Sequence, residues 1–144
     1  MPVDPLDAKI DLNLRVGDLE ASIDWYARMF GTEPIYRGVD RSVDGRVSTP
    51  MACFRLGGVK IWLLPRGDNA APAGKDQRVG IAFMTRQKLA PLRAELSRRG
   101  AEFDDTPTPD FPIDAQGVRI GKDAEFLYIL DPDGHKLEFC HTYR

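Results

Sequence analysis

The stretch Phe126-Leu-Tyr-Ile-Leu-Asp-Pro-Asp-Gly-His-Lys-Leu-Glu138-Phe-Cys-His141 carries two runs of β-forming residues on either side of Asp131-Pro132-Asp133-Gly134. Proline presets φ and glycine accepts φ above zero, so the central four residues read as a turn and the whole as a β-hairpin. Side chains alternate between the faces of a strand. Leu137 and Phe139 therefore share the core face, while Lys136, Glu138 and Cys140 share the other, matched on the preceding strand by Phe126, Tyr128 and Leu130. Chemistry on a small molecule is expected on that second face.

Working outward, residues 9–16 alternate strictly, with Ile10, Leu12, Leu14 and Val16 on one face and Asp11, Asn13 and Arg15 on the other, as in a half-buried strand. Gly17-Asp18 offers an N-cap, Leu19, Ile23, Tyr26 and Phe30 recur at helical spacing, and Gly31 stops the helix. Residues 34–39 read as a short strand, 40–50 as a loop, and 51–56 and 59–64 as a hairpin turning on Gly57-Gly58. After a Pro/Gly/Ala/Asp-rich connector the pattern repeats. Residues 78–85 form a strand, 87–99 a helix on Leu89, Leu92 and Leu96 ended by Gly100, and 101–104 a short strand. A long loop with Pro107, Pro109 and Pro112, a segment at 118–121 and the closing hairpin complete it.

Residues 11–31 align with 80–100 without a gap, although the two leucine stripes run about one residue out of phase. An internal duplication follows, with a first βαβββ module at 8–65, a linker at 66–77 and a second module at 78–141, all in one domain of 144 residues. Neither half covers its own sheet. The expected architecture is α+β, an open, mixed, eight-stranded barrel-like sheet around a cleft, with helices on the outside.

A net charge of -2 leaves no electrostatic footprint for nucleic acid or an anionic membrane, and neither is expected as a partner. The N-terminus lacks the basic start and apolar run of a signal peptide, and no stretch approaches the roughly 20 apolar residues of a membrane span, so a cytoplasmic location is expected. Cys53 and Cys140 are too few and too far apart for a disulfide framework or a zinc spacing. Both are expected as small buried thiols.

The segment Asp11-Leu-Asn-Leu-Arg-Val-Gly-Asp-Leu-Glu-Ala-Ser-Ile-Asp-Trp-Tyr26, ending in Phe30-Gly31, together with the closing hairpin, resembles the vicinal oxygen chelate superfamily. That superfamily includes glyoxalase I, bleomycin-resistance proteins, extradiol dioxygenases, methylmalonyl-CoA epimerase and fosfomycin-resistance thiol transferases. The resemblance implies a divalent metal held by a His on the first strand, a His on the first strand of the second half and a Glu on the last. Here those positions carry Asp11, Gly80 and Glu138. Glycine has no ligating side chain, and two carboxylates alone hold a hard metal weakly, so no cofactor is expected. If a metal is bound, its ligands are Asp11 and Glu138. His135 sits in the turn, and His141 has the parity of the core face.

Glu138 reads either as a carboxylate paired with Arg15, Arg55 or Lys60, or as a catalytic base; Asp11 has the same alternatives. Trp62 shares the parity of Lys60 and Leu64 and is expected to line the cleft with Met84, Phe126 and Tyr128, or else to be a core or interface aromatic. Tyr128 lies where the resemblance to fosfomycin-resistance enzymes places a substrate-contacting tyrosine. The candidate catalytic residues are thus Glu138, Asp11 and Tyr128, and the candidate ligand-binding residues Asn13, Arg15, Arg55, Trp62, Met84, Phe126 and Tyr128. The function expected is metal-free capture of a hydrophobic or aromatic small molecule, such as a toxin or antibiotic, by a homodimer. The alternatives are an isomerase, lyase or cyclase using Glu138 or Asp11 as general base, and a metal-dependent glyoxalase or dioxygenase.

Overall fold

Along Asp11–Val16 (β1) the side chains alternate as the hydropathy demands: Leu14 and Val16 are fully buried, and Asp11, Asn13 and Arg15 are exposed. The structure is a computed structural model that describes residues 9–41, 44–46, 48–66 and 79–143. The chain divides into two units, Met1–Gly67 and Asp68–Arg144.

In the first unit β1 leads into Leu19–Phe30 (α1). Asp18 stands in extended conformation and its carboxylate accepts the N–H of Ala21 at 3.1 Å, satisfying one of the helix's orphan donors. Gly31, at φ 62°, ends the helix in the left-handed region, where a Cβ is costly. Ile23, Trp25, Tyr26 and Met29 form the buried stripe of α1, which packs on two later strands, Ser48–Leu56 (β3) and Val59–Pro65 (β4). Tyr26 lies fully buried, its ring 5.9 Å from that of Phe54. With Tyr36–Arg41 (β2) the strands take the order β1-β4-β3-β2, β1 running parallel to β4 and the other pairs antiparallel. Arg37 of β2 forms an ion pair with Glu20 of α1, which fixes the helix side of the sheet.

The second unit repeats the plan. Gly80–Met84 (β5), Leu89–Arg98 (α2), Glu102–Phe103 (β6), Arg119–Ile120 (β7), Ala124–Leu130 (β8) and Lys136–Thr142 (β9) give the order β5-β9-β8-β6, with β7 also on β8 and β5 parallel to β9. Helix α2 packs on β8 and β9 through a face that buries Leu89 and Leu96. Lys88 provides no side-chain cap; Glu125 of β8 accepts the Leu89 N–H at 2.7 Å instead. In the closing hairpin Asp131 accepts from the N–H groups of Asp133 (2.9 Å) and His135 (2.8 Å), an Asx-type turn. His135 is buried, and its Nδ1 accepts the Val79 N–H at 2.9 Å, tying the turn to the entry of β5.

The architecture is α+β, two helices and nine strands among the described residues, in two mixed sheets that are not closed into a barrel. The ninth strand is the two-residue β7. Of residues 40–50, expected as a loop, 40–41 and 48–50 are strand: β2 and β3 pair out to Arg41↔Ser48. Strand β2, expected at 34–39, runs on to Arg41; it is exposed over nearly its whole length, so no apolar alternation marks where it ends. The phase slip between the halves also has a cause, since α2 begins one residue later relative to β5 than α1 does relative to β1. Residues 1–8 and most of the connector, 67–78, lie outside the described residues.

These contacts differ in weight. Leu63→Ala, at a fully buried site, is expected to cost about 2–5 kcal/mol by denaturant unfolding. Loss of the exposed cap in Asp18→Ala should cost only about 1 kcal/mol.

Candidate functional site

The register of each sheet sets out, row by row, the side chains on the face away from its helix. In the first unit one row reads Arg55–Lys60–Asp11 across β3, β4 and β1, and the next Tyr36–Cys53–Trp62–Asn13 across all four strands. Arg15 follows opposite Leu64. The Trp62 indole N–H donates to Asp11 Oδ2 at 3.1 Å, which fixes the ring's tilt and engages that carboxylate. Tyr36 is 44% exposed, and its ring centroid lies 5.7 Å from that of Trp62. The phenol reaches across Gly38, where an added Cβ would come within 2.5 Å of the phenolic oxygen. Glycine at 38 therefore leaves room for the Tyr36 phenol, whose ring is tilted 56° to that of Trp62. Cys53, within this row, is fully buried, and burial pushes its thiol pKa up, against the lowering fields of Lys60 and Arg55.

In the second unit the rows read Met84–Cys140–Phe126–Arg119 and Ala82–Glu138–Tyr128. Glu138 is half-buried, and the phenol of Tyr128 hydrogen-bonds to it. Burial first, and then the Glu138 charge and hydrogen bond, raise the Tyr128 pKa above its ordinary 10.0. Lys136 Nζ and the Arg119 guanidinium stand 5.0 and 5.1 Å from the Tyr128 ring centroid. Lys136 bonds to Asp104 at 2.7 Å, and this bond holds the Asp104 carboxyl well below the usual range. Arg119 is 4% exposed; its Nη2 donates to the Asp104 carbonyl at 2.9 Å, and its Nη1 is buried with no hydrogen-bond partner among the described residues. Phe126 packs at 5.2 Å against Phe111, and Met84, on the outermost strand, is 68% exposed.

Asp11, Asn13, Arg15, Arg55 and Trp62 thus share one face, and Glu138, Tyr128, Phe126 and Met84 share the other. Sequence reasoning passed over Tyr36, Arg119, Lys136 and Asp104 as site residues. Lys136 had the right parity; Tyr36 needed the β2–β3 register, which no local pattern supplies. His141 is on the helix side, with its Nδ1 3.1 Å from the Thr85 carbonyl, beside a concavity of about 440 Å³ lined also by Lys88, Asp114, Glu125 and Tyr143.

As to a metal, no group of three or more His, Cys, Asp or Glu side chains stands close enough to hold one among the described residues. Gly80 has nothing nearer than 4.0 Å to an added Cβ, so neither crowding nor a left-handed φ demands glycine there; the ligating group is simply not encoded. Asp11 is already engaged by an indole. These donors do not fit a three-ligand centre, and no chemical step is routed through a metal.

The family model for the Glyoxalase/Bleomycin resistance protein/Dioxygenase superfamily matches residues 10–139. Solved structures share the fold at low identity. A glyoxylase/bleomycin resistance protein/dioxygenase domain from Frankia sp. EAN1pec is 21% identical, with 96% of this chain and 94% of that one covered and a TM-score of 0.67. A glyoxalase family protein from Enterococcus faecalis is 16% identical (94% and 98% covered, TM-score 0.63). The fosfomycin resistance protein FosX from Listeria monocytogenes, complexed with manganese(II) and sulfate, is 18% identical (94% and 93%, TM-score 0.62). The search of curated proteins returned no match.

Two titrations follow from the second face. Tyr128 should ionise above its ordinary value in an ultraviolet titration, and Glu138→Gln should bring it down only partway, because burial is the leading cause. Asp104, with a depressed folded pKa, contributes stability that is complete above its ordinary 3.8 and is lost as pH falls below it. Unfolding midpoints of Asp104→Asn should accordingly vary less between neutral and acid pH than those of the wild type.

Proposed function

The chain belongs to the Glyoxalase/Bleomycin resistance protein/Dioxygenase superfamily, and within it we propose a binding protein that captures a hydrophobic or aromatic small molecule without a metal. The observation that carries this reading is the Tyr36–Trp62 ring pair. Two rings are held on an open sheet face, one oriented by Asp11 and the other laid over a glycine. Preset aromatic walls lose little entropy when a flat guest stacks on them, and they offer large apolar area with polar edges. Asn13 and Arg15, on the same face, are assigned hydrogen bonds to the guest's rim. Met84, Phe126 and Tyr128 are assigned guest contacts on the open face of the second sheet. We take the chain as one domain made by duplication of residues 8–65 and 78–141 through a linker at 66–77, acting as a cytoplasmic homodimer. The bleomycin resistance and FosX names among its structural neighbours favour an antibiotic or similar toxin as the guest.

A second reading is favoured by the Glu138–Tyr128 pair. A carboxylate hydrogen-bonded to a phenol of raised pKa, with Lys136 and Arg119 against the ring, is a proton-holding arrangement suited to an isomerase or lyase, Glu138 acting as base and Tyr128 as donor. On the first sheet Asp11 is the less suitable base, since it accepts from Trp62.

Thermal shift against a panel of aromatic natural products tests capture. A guest at 100 times its dissociation constant stabilises the fold by about 2.7 kcal/mol. Trp62→Ala should abolish that shift, and Gly38→Val, which displaces the Tyr36 ring, should weaken it at least several-fold. Turnover of a hit that is lost in Glu138→Gln while its binding persists would instead establish the enzyme.

A further inference from the structure

One feature of the first sheet is costly unless something binds there. Arg55 and Lys60 occupy directly opposed positions on the β3–β4 hairpin. Like charges so placed, with Cβ atoms roughly 5 Å apart, destabilise a strand pair. Neither makes an ion pair or hydrogen bond among the described residues. Asp11 completes their row next to Lys60, its Oδ2 accepting the Trp62 indole N–H at 3.1 Å, and its one negative charge leaves the row with a positive charge in excess. Ion pairs elsewhere in the molecule, such as Arg37 with Glu20, Arg93 with Asp105 and Lys136 with Asp104, show the ordinary arrangement, in which a cation on a strand or helix meets a carboxylate. The two cations also adjoin the aromatic row, Lys60 lying two positions from Trp62 on one strand and Arg55 two from Cys53 on the next.

We propose that the guest of this face is an aromatic acid: a flat ring on Tyr36 and Trp62, carrying a carboxylate or other singly charged oxygen group that Arg55 and Lys60 receive. The assignment rests on the reading of this face as an aromatic-binding site and adds the guest's charge. A guanidinium and an ammonium sharing one oxyanion form charge-assisted hydrogen bonds, and the anion removes the repulsion between them. Binding is thus rewarded twice, once by new bonds and once by relief within the protein. A neutral ring obtains only the stacking.

The test compares 2-naphthoate with 2-naphthamide, which differ in charge and hardly in shape, by calorimetric titration of the full chain. Naphthoate should bind about tenfold or more tightly, a difference of about 1.4 kcal/mol, and added salt should weaken it while leaving the amide unchanged. The double variant Arg55→Gln/Lys60→Met should lose the preference, keep amide binding, and unfold at the same or a higher temperature, since a repulsive pair is gone. Asp11→Asn should strengthen naphthoate binding. Equal affinity for acid and amide in the wild type would overturn the inference and leave the aromatic site standing. Inorganic phosphate binding as tightly as naphthoate would also overturn it, because the ring would then contribute nothing. Binding of neither naphthalene probe would sink the aromatic reading, and this inference with it.

Discussion

In each unit the first strand hydrogen-bonds, in parallel, to the last: β1 to β4 and β5 to β9. A parallel pair cannot be joined by a tight turn, so the chain must cross over, and α1 and α2 are the crossings. The ladder decides what meets what. It sets Asn13 beside Trp62 and Asp11 beside Lys60 in one sheet, and Glu138 opposite Ala82 in the other. Because side chains alternate with period two, a slip of one residue in β1 would carry Leu12, Leu14 and Val16 to the open face and bury Asn13 and Arg15. The apolar stripe under the helix thus holds the polar face in register.

The two open faces are electrostatically unlike. On the second sheet the charges answer one another: Lys136 meets Asp104, the Tyr128 phenol meets Glu138, and the ring of Tyr128 takes up both neighbouring cations. Such a network is stiff and has its own acid–base character. On the first sheet the aromatic pair is fixed, but the cations beside it outnumber the one carboxylate in their row. One face carries charges that are paired within it, the other a positive charge in excess. The chemistry of a guest would be felt differently by each.

Much of this was readable from residues alone, where the signal was local. Asp18 and Gly31 bounded a helix, Gly57-Gly58 and Pro132-Asp133-Gly134 turned hairpins, and the alternation of residues 9–16 assigned a face to Asp11, Asn13 and Arg15. Strand β2 was read at 34–39 but stopped two residues short of its end at Arg41, because an exposed edge strand has no apolar period to mark its limit. Tyr36 was missed for a related reason: its place beside Trp62 depends on pairing with Cys53, a contact between distant residues. Arg119 was hidden in a two-residue strand after a long proline-rich segment, too short for any periodicity to emerge.

The second helix starts differently from the first. Its opening N–H is held by Glu125, 36 residues further along the chain, and not by a neighbouring side chain. On the ribosome α2 emerges well before that carboxylate has been made, so its first turn stays unfastened until β8 arrives. A nascent chain cut short of residue 125 therefore lacks the acceptor that fastens the helix start in the finished protein.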